Sequence, residues 1–390
     1  VTASVLFHVQ HLLGIGHLQR SLRIAEALAQ AGMTVTLVSG GAPTALPRDP
    51  AIRWVQLPPV RARDAQFELI DSTGAPIDDA LREARRRALL AAFAAARPDV
   101  VVVEGYPFAR RSFRFELEPL VAAVRETRPR PCLVCSVRDV VVVRDDPERH
   151  RDIVERVKRD FDAVLVHGDP TLVPFDASFP AAPQIADRLV YTGYVAPPAA
   201  VGAATGEGSP GVVVSAGGGA AGHDLLSAAL AARRSGCLAN LSWLLLTGTN
   251  LPEPAFAALA ATAPPGVAVE RFRPDLPALL RGCRVSVSQA GYNTVLDILA
   301  ARCRAVLVPF AAERETEQLL RAGRLAALGV VELLRESELT PLLLTAAIER
   351  ATARLPAAIA IDTDGAARSA RLIVEMLGSA RCFAAPAPGV

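Results

Sequence analysis

A chain of 390 residues, 51% apolar and 21% charged, has globular composition and enough length for two domains. Its formal charge of +2 gives nucleic acid no electrostatic hold as the main partner. Lys158 is the only lysine, which excludes a Walker-type phosphate loop and disfavours Schiff-base chemistry.

The longest apolar runs, such as residues 88–96, fall short of the ~20 residues of a membrane helix. The chain enters a strand at once, with no basic segment and apolar signal core, so cytoplasmic residence is the expectation. Of the scattered cysteines only Cys132 and Cys135 form a C-x-x-C, in "PCLVCSV". That reads as a strand, where residues three apart face opposite ways, so no metal site is expected.

In chain order, an apolar strand at residues 5–9 runs into a loop with His11, Gly14, Gly16 and His17. An amphipathic helix follows, with Leu18, Leu22, Ala25, Leu28 and Ala29 at helical spacing. Glycines between a strand and a helix admit a dinucleotide, a phosphate, or a loop that exposes a catalytic histidine. The strands "TVTLVSG", "DVVVVEG", "CLVCSVRD", "AVLVHGD" and "LVYTGYV" then alternate with helices, the pattern of a parallel sheet. The basic stretch at Arg82–Arg87, beside "ALLAAFAAA", reads either as a solvated amphipathic surface helix or as a peripheral contact with anionic lipid. Asp160 and Asp162 form a D-x-D that precedes a strand instead of following one, and read as surface charge.

A Pro-, Gly- and Ala-rich stretch at residues 196–211 marks a linker, after which the plan restarts. "GVVVSAGGGAAGHDLLSAALAA" is again strand, glycine loop with His223, and helix; "LSWLLLTG", "VAVERF", "RVSVSQAG" and "AVLVPF" follow. Two α/β domains with parallel sheets are therefore expected, at 1–198 and 211–364, joined by a linker at 199–210. A helix and tail at 365–390 would pack back on the first domain. Such sheets bind ligands outside their carboxyl strand ends, which predicts a central cleft. His11, His17, His167 and His223 all fall at such ends; His8 and His150 do not.

A dinucleotide site is disfavoured, because Gln19 replaces the third glycine and "TLVSGG" lacks the ribose-binding acid. The second loop is the better phosphate cradle. Gly217, Gly218 and Gly219, then Ala220, leave the backbone amides bare before a helix start near Gly222. In "SVSQAGYNTVLDILA" a helix starts near Gly291 after Gln289 and Ala290. Asn293, Thr294 and Asp297 lie on its first turns, with Asn293 and Asp297 on one face. Asp297 is placed to accept from ribose hydroxyls. Glu317 and Gln318 open another helix in the same row. Together these describe a site for a nucleotide diphosphate.

The segment "SQAGYNTVLDILAARCRAVLVPFAAERETEQ" resembles the C-terminal signature of glycosyltransferase family 28. "GIGHLQRSLRIAEAL" is similar to the G-x-G-H-x-x-R loop of that superfamily and of a related UDP-sugar hydrolase. The resemblance implies a GT-B fold, with a nucleotide-sugar donor on the C-terminal domain, an unidentified acceptor on the N-terminal one, and no cofactor or metal. It implies that Gly218 and Gly219 face the pyrophosphate, Asp297 the ribose, Gln318 the donor sugar, and Arg271, Phe272 and Arg273 the base. His17 is the first candidate for general base, with Glu104 and Asp139 as alternatives and Arg20 as a phosphate partner or surface charge. A histidine base implies an acid limb near the ordinary imidazole pKa in the pH profile. UDP-sugars are the favoured donors and inversion the expected outcome; hydrolysis or epimerisation of a nucleotide sugar, or binding alone, are the alternatives. The chain is expected as a monomer or homodimer.

Overall fold

The computed structural model describes residues 2–12, 15–63, 68–141, 146–196, 209–217, 222–310, 317–355, 357 and 359–383. It has two compact units, Val1–Val195 with Ile361–Val390, and Ala196–Ala360. The expected linker falls almost wholly outside the described residues. The chain rejoins the first unit a few residues before the expected position 365. There Tyr194 N–H donates to Asp362 O (2.7 Å) and Gly365 N–H to Tyr194 O (3.0 Å).

Unit 1 carries strands β1 (Ser4–Val9), β2 (Thr34–Ser39), β3 (Ile52–Gln56), a small β4–β5 hairpin (Arg61–Ala62, Leu69–Ile70), β6 (Val100–Glu104), β7 (Cys132–Arg138), β8 (Ala163–His167) and β9 (Leu189–Tyr191). Its helices are α1 (Gly16–Gln30), α2 (Asp79–Ala96), α3 (Arg114–Glu126) and α4 (Pro147–Asp160), and α11 (Gly365–Phe383) from the chain's end packs on α1. The parallel sheet has the order β3-β2-β1-β6-β7-β8-β9. Its strands are runs of valine and leucine because both faces are covered. Leu6, Val101, Val103 and Cys135 pack under Leu89, Phe93 and Leu117 of α2 and α3. Phe7, Val100, Val102 and Val134 pack under Leu18, Leu22 and Leu28 of α1 and Ile373 of α11. Cys135 sits inside one core and Cys132 lies half-buried on the opposite face, both as free thiols.

Unit 2 carries β10 (Val212–Ser215), β11 (Trp243–Leu246), β12 (Val267–Glu270), β13 (Val285–Ser288), β14 (Ala305–Leu307) and β15 (Glu332–Leu333), in the order β12-β11-β10-β13-β14-β15. Its helices are α5 (His223–Arg234), α6 (Glu253–Ala261), α7 (Leu276–Gly282), α8 (Tyr292–Ala301), α9 (Glu317–Ala327) and α10 (Pro341–Ala353). Both main sheets are doubly wound. The strand order reverses between β1 and β6 in unit 1 and between β10 and β13 in unit 2, and a crevice opens outside the carboxyl ends at such a reversal.

Two surface readings are corrected by packing. Arg85 of α2 is fully buried, so the basic stretch is anchored instead of wholly solvated. Its exposed neighbours are neutralised along the helix, Arg82 by Asp79 and Arg86 and Arg87 by Glu83. Asp160 is buried and paired with Arg125 and Arg159, while Asp162 caps Leu133 N–H (2.7 Å). No described helix is long and apolar enough to cross a membrane.

Candidate functional site

At the unit 1 reversal, β1 ends at Val9 beside the end of β6, where Glu104 sits. Helix α1 begins at Gly16 with no side-chain cap, which places His17 and Arg20 on its first turns. Three polar side chains converge on the Glu104 carboxylate. His17 Nδ1 lies 2.6 Å from Glu104 Oε1, and Arg20 Nη2 donates to the same oxygen at 2.7 Å. Arg110 Nη2 donates to Oε2 at 3.0 Å. Glu104 is buried, whereas a quarter of the His17 side chain is exposed (25%).

The charges settle the protonation states. Burial would raise the Glu104 carboxyl, but the hydrogen bond from His17 and the Arg110 and Arg20 cations override it and hold the group well below the usual range. Burial pulls the His17 imidazole down to about 3; Glu104 opposes that drop, and Arg110 and Arg138 add to it. His17 is therefore neutral, with Nδ1–H donating to Glu104. Its Nε2 is left unprotonated, without a partner among the described residues, and able to take a proton from a substrate hydroxyl. Burial, with Arg110 and Arg138 adding to it, thus moves the expected acid limb from the ordinary imidazole pKa to far lower pH.

The other unit 1 candidates differ. Gly14 lies outside the described residues. Asp139 is fully enclosed, accepting from Val140 N–H (3.0 Å) and the Tyr194 hydroxyl (3.4 Å). His11 donates Nε2–H to Ala42 O (3.0 Å), and burial lowers its pKa. His167 is buried between Ser136 Oγ (2.7 Å) and Thr192 Oγ1 (2.9 Å).

Arg110 was missed by sequence reasoning. It follows β6 in "EGYPFARR", and its backbone is left-handed (φ +62), a conformation that costs a bulky residue about 1 kcal/mol or more. Phe108, two residues earlier, pins this turn edge-on between Phe175 (5.4 Å) and Phe179 (5.2 Å).

At the unit 2 reversal, Gly217 turns the chain out of β10 with φ +70, and Gly218, Gly219 and Ala220 lie outside the described residues. Gly222 caps α5; a Cβ there would come within 2.1 Å of Ala216 Cβ, so only glycine lets the helix start approach the strand end this closely. From β13, Gln289 N–H donates to Ser215 O (3.1 Å), joining the two strand ends across the reversal. Ala290 is buried, and Gly291 caps α8, where a Cβ would meet nothing within 4 Å among the described residues. That leaves the positive end of α8 accessible to an anion. Asn293, Thr294 and Asp297 follow, all half-buried.

Gln318 and Glu317 have firmer structural work than the sequence suggested. Gln318 Oε1 accepts from Ala290 N–H (3.0 Å) and Phe310 N–H (3.2 Å), tying the β13 and β14 loops together. Glu317 is buried against Arg321 of its own helix (2.9 Å). Arg321 in turn donates to Ala290 O (3.1 Å) and lies over the Tyr292 ring. After β12, Arg273 is clamped by both Asp275 oxygens (2.8 and 2.7 Å), Arg271 covers Phe256, and Phe272 stays 66% exposed.

Two doubly wound units, each with a polar site at its reversal, define a protein of the GT-B glycosyltransferase fold. Within that class, residues 212–375 match the glycosyltransferase family 28 C-terminal domain. Over 73 residues the chain is 37% identical to the UDP-N-acetylglucosamine–N-acetylmuramyl-(pentapeptide) pyrophosphoryl-undecaprenol N-acetylglucosamine transferase of Brucella anthropi. That match spans 19% of this chain and about a fifth (20%) of the relative. The calicheamicin glycosyltransferase CalG4 has a similar fold, with TM-score 0.60 and 19% identity over 99% of this chain and 100% of that one. So has MurG of Acinetobacter baumannii, with TM-score 0.55 and 19% identity over 98% and 96%.

Proposed function

We propose that the protein transfers a sugar from a nucleotide diphosphate donor to an acceptor hydroxyl, with inversion and without a metal. The observation that carries the reading is His17, held at Nδ1 2.6 Å from the buried Glu104 carboxylate with a quarter of its side chain exposed (25%). In this reading Nε2 takes the acceptor proton as the oxygen attacks the anomeric carbon, and the bond to the diphosphate breaks. The departing negative charge meets the amides at the start of α8. Asp297 and Asn293 hold the ribose, Phe272 offers a ring face to the base, and the Gln318 amide lies toward the donor sugar. UDP-sugars come first as donors, in line with the UDP-N-acetylglucosamine in the name of the Brucella relative.

The partial exposure of His17 also lets water serve as nucleophile, which would make the same site a nucleotide-sugar hydrolase. Incubation with UDP-, GDP- and dTDP-sugars, with and without a cell lysate as acceptor source, separates the two. Nucleotide release that is slow alone and fast with lysate supports transfer. Equally fast release in both defeats it in favour of hydrolysis, and binding without release defeats both.

A further inference from the structure

Arg110 carries features that packing does not reward. Its backbone is left-handed, its side chain is only 9% exposed, and its Nε is buried without a partner among the described residues. Its one hydrogen bond there goes to Glu104 Oε2. Gly105 at the end of β6 is left-handed as well (φ +80), a conformation glycine takes without strain, so the turn carries its strain at Arg110. A buried guanidinium with an orphaned donor on a strained backbone is costly for the fold. What it supplies is a positive charge on the oxygen of Glu104 that His17 and Arg20 leave open.

We propose that Arg110 is a positioning residue: it holds Glu104 ionised and in one rotamer, so that Glu104 keeps His17 in the Nδ1–H tautomer with Nε2 as the base. The inference rests on the reading of His17 as base. The charged and titratable groups around this histidine are Glu104 from β6, Arg110 from the following loop, Arg138 from β7 and Arg20 from its own helix, with His11 nearby. Arg20 cannot replace Arg110, because it shares Oε1 with His17 and leaves Oε2 to Arg110. Without Arg110 the carboxylate can rotate, and His17 can exchange its tautomers.

The test uses the whole chain and needs no acceptor for its first readout. Imidazole nitrogen NMR at neutral pH should show the parent His17 as a single Nδ1–H tautomer. Arg110→Met should show averaged tautomers, and Arg110→Lys should restore the single form. Nucleotide release from the best donor of the panel should fall roughly 10–100-fold in Arg110→Met. UDP affinity should stay within about twofold, the size of change expected of a group that acts through another. Removing this positive charge should also move the acid limb of turnover upward by roughly one pH unit. Should Arg110→Met fail to fold, Arg110→Gln, which keeps an amide donor without the charge, takes its place. A single unchanged tautomer with parental turnover in that variant overturns the inference. If His17→Ala is inactive while the Arg110 variant is normal, only the positioning role fails; if His17→Ala is fully active, the reading of His17 as base fails first.

Discussion

Unit 1 holds two buried arginine–carboxylate assemblies, one closed and one open. In the closed one, Arg85 of α2 grips both oxygens of Glu116 of α3 (2.7 Å each). It also donates to Gly40 O (2.8 Å), Pro58 O (2.6 Å) and Gln10 Oε1 (2.7 Å). Arg85, Glu116 and nearby His8 are all fully buried, and every Arg85 donor nitrogen has a partner. In the open one, Glu104 is equally buried, but its ring of donors includes a histidine that reaches solvent and Arg110, whose Nε has no partner among the described residues. A closed network built round a fully satisfied arginine specifies the fold. An open one spends part of its satisfaction on presenting a group to something outside. That difference separates architecture from chemistry within one sheet.

The comparison can be broken by mutation. Arg85→Met leaves Glu116 buried and unpaired and should destabilise unit 1 by about 3–5 kcal/mol. Turnover per folded molecule should stay near parental, as read by denaturant unfolding alongside activity; an intact fold with lost turnover would erase the distinction. Glu104→Gln should do both kinds of damage, since it strands Arg20 and Arg110 and frees the His17 tautomer. A turnover loss of about 10²–10⁴-fold is expected there, together with a lower melting temperature. In unit 2, Asp297→Ala should weaken UDP binding by about 1–3 kcal/mol in calorimetry with unfolding unchanged. Parental affinity would remove Asp297 from the ribose.

The smallest effect is pH dependence. Burial lowers the pKa of His11, His17 and His167, so the unfolded chain binds more protons than the folded one below about pH 6.5. Stability is therefore full above that pH and is lost as pH falls, for His17 down to about 3. The contribution of His17 between pH 6.5 and 5 is roughly 1–2 kcal/mol. His17→Gln should flatten that part of the slope in melting curves taken across pH; a slope identical to the parent's would mean that the imidazole takes up its proton alike in the folded and unfolded states.

The α/β plan was legible because each strand is a short apolar run bounded by glycine and polar residues, and the helix starts at Gly16, Gly222 and Gly291 follow from glycine placement. Candidate residues at strand ends were legible for the same reason, since position along a strand fixes which end a residue occupies. Partnerships were not. Nothing local distinguishes Arg85, wholly buried, from exposed Arg87 two residues later, or the buried ion pair of Asp160 from surface charge. The engagement of Glu317 by Arg321, four residues on, matches a helical spacing visible in the sequence, but its burial does not. Arg110 escaped because its role depends on a left-handed backbone and on an oxygen that two other residues leave open.

The most direct test of the account is the donor affinity and turnover of His17→Ala, measured on one preparation. A base acts in the transition state, so UDP should bind as it does to the parent while turnover falls about 10²–10⁴-fold. Retention of more than about a tenth of parental turnover would contradict the assignment of His17 as the base.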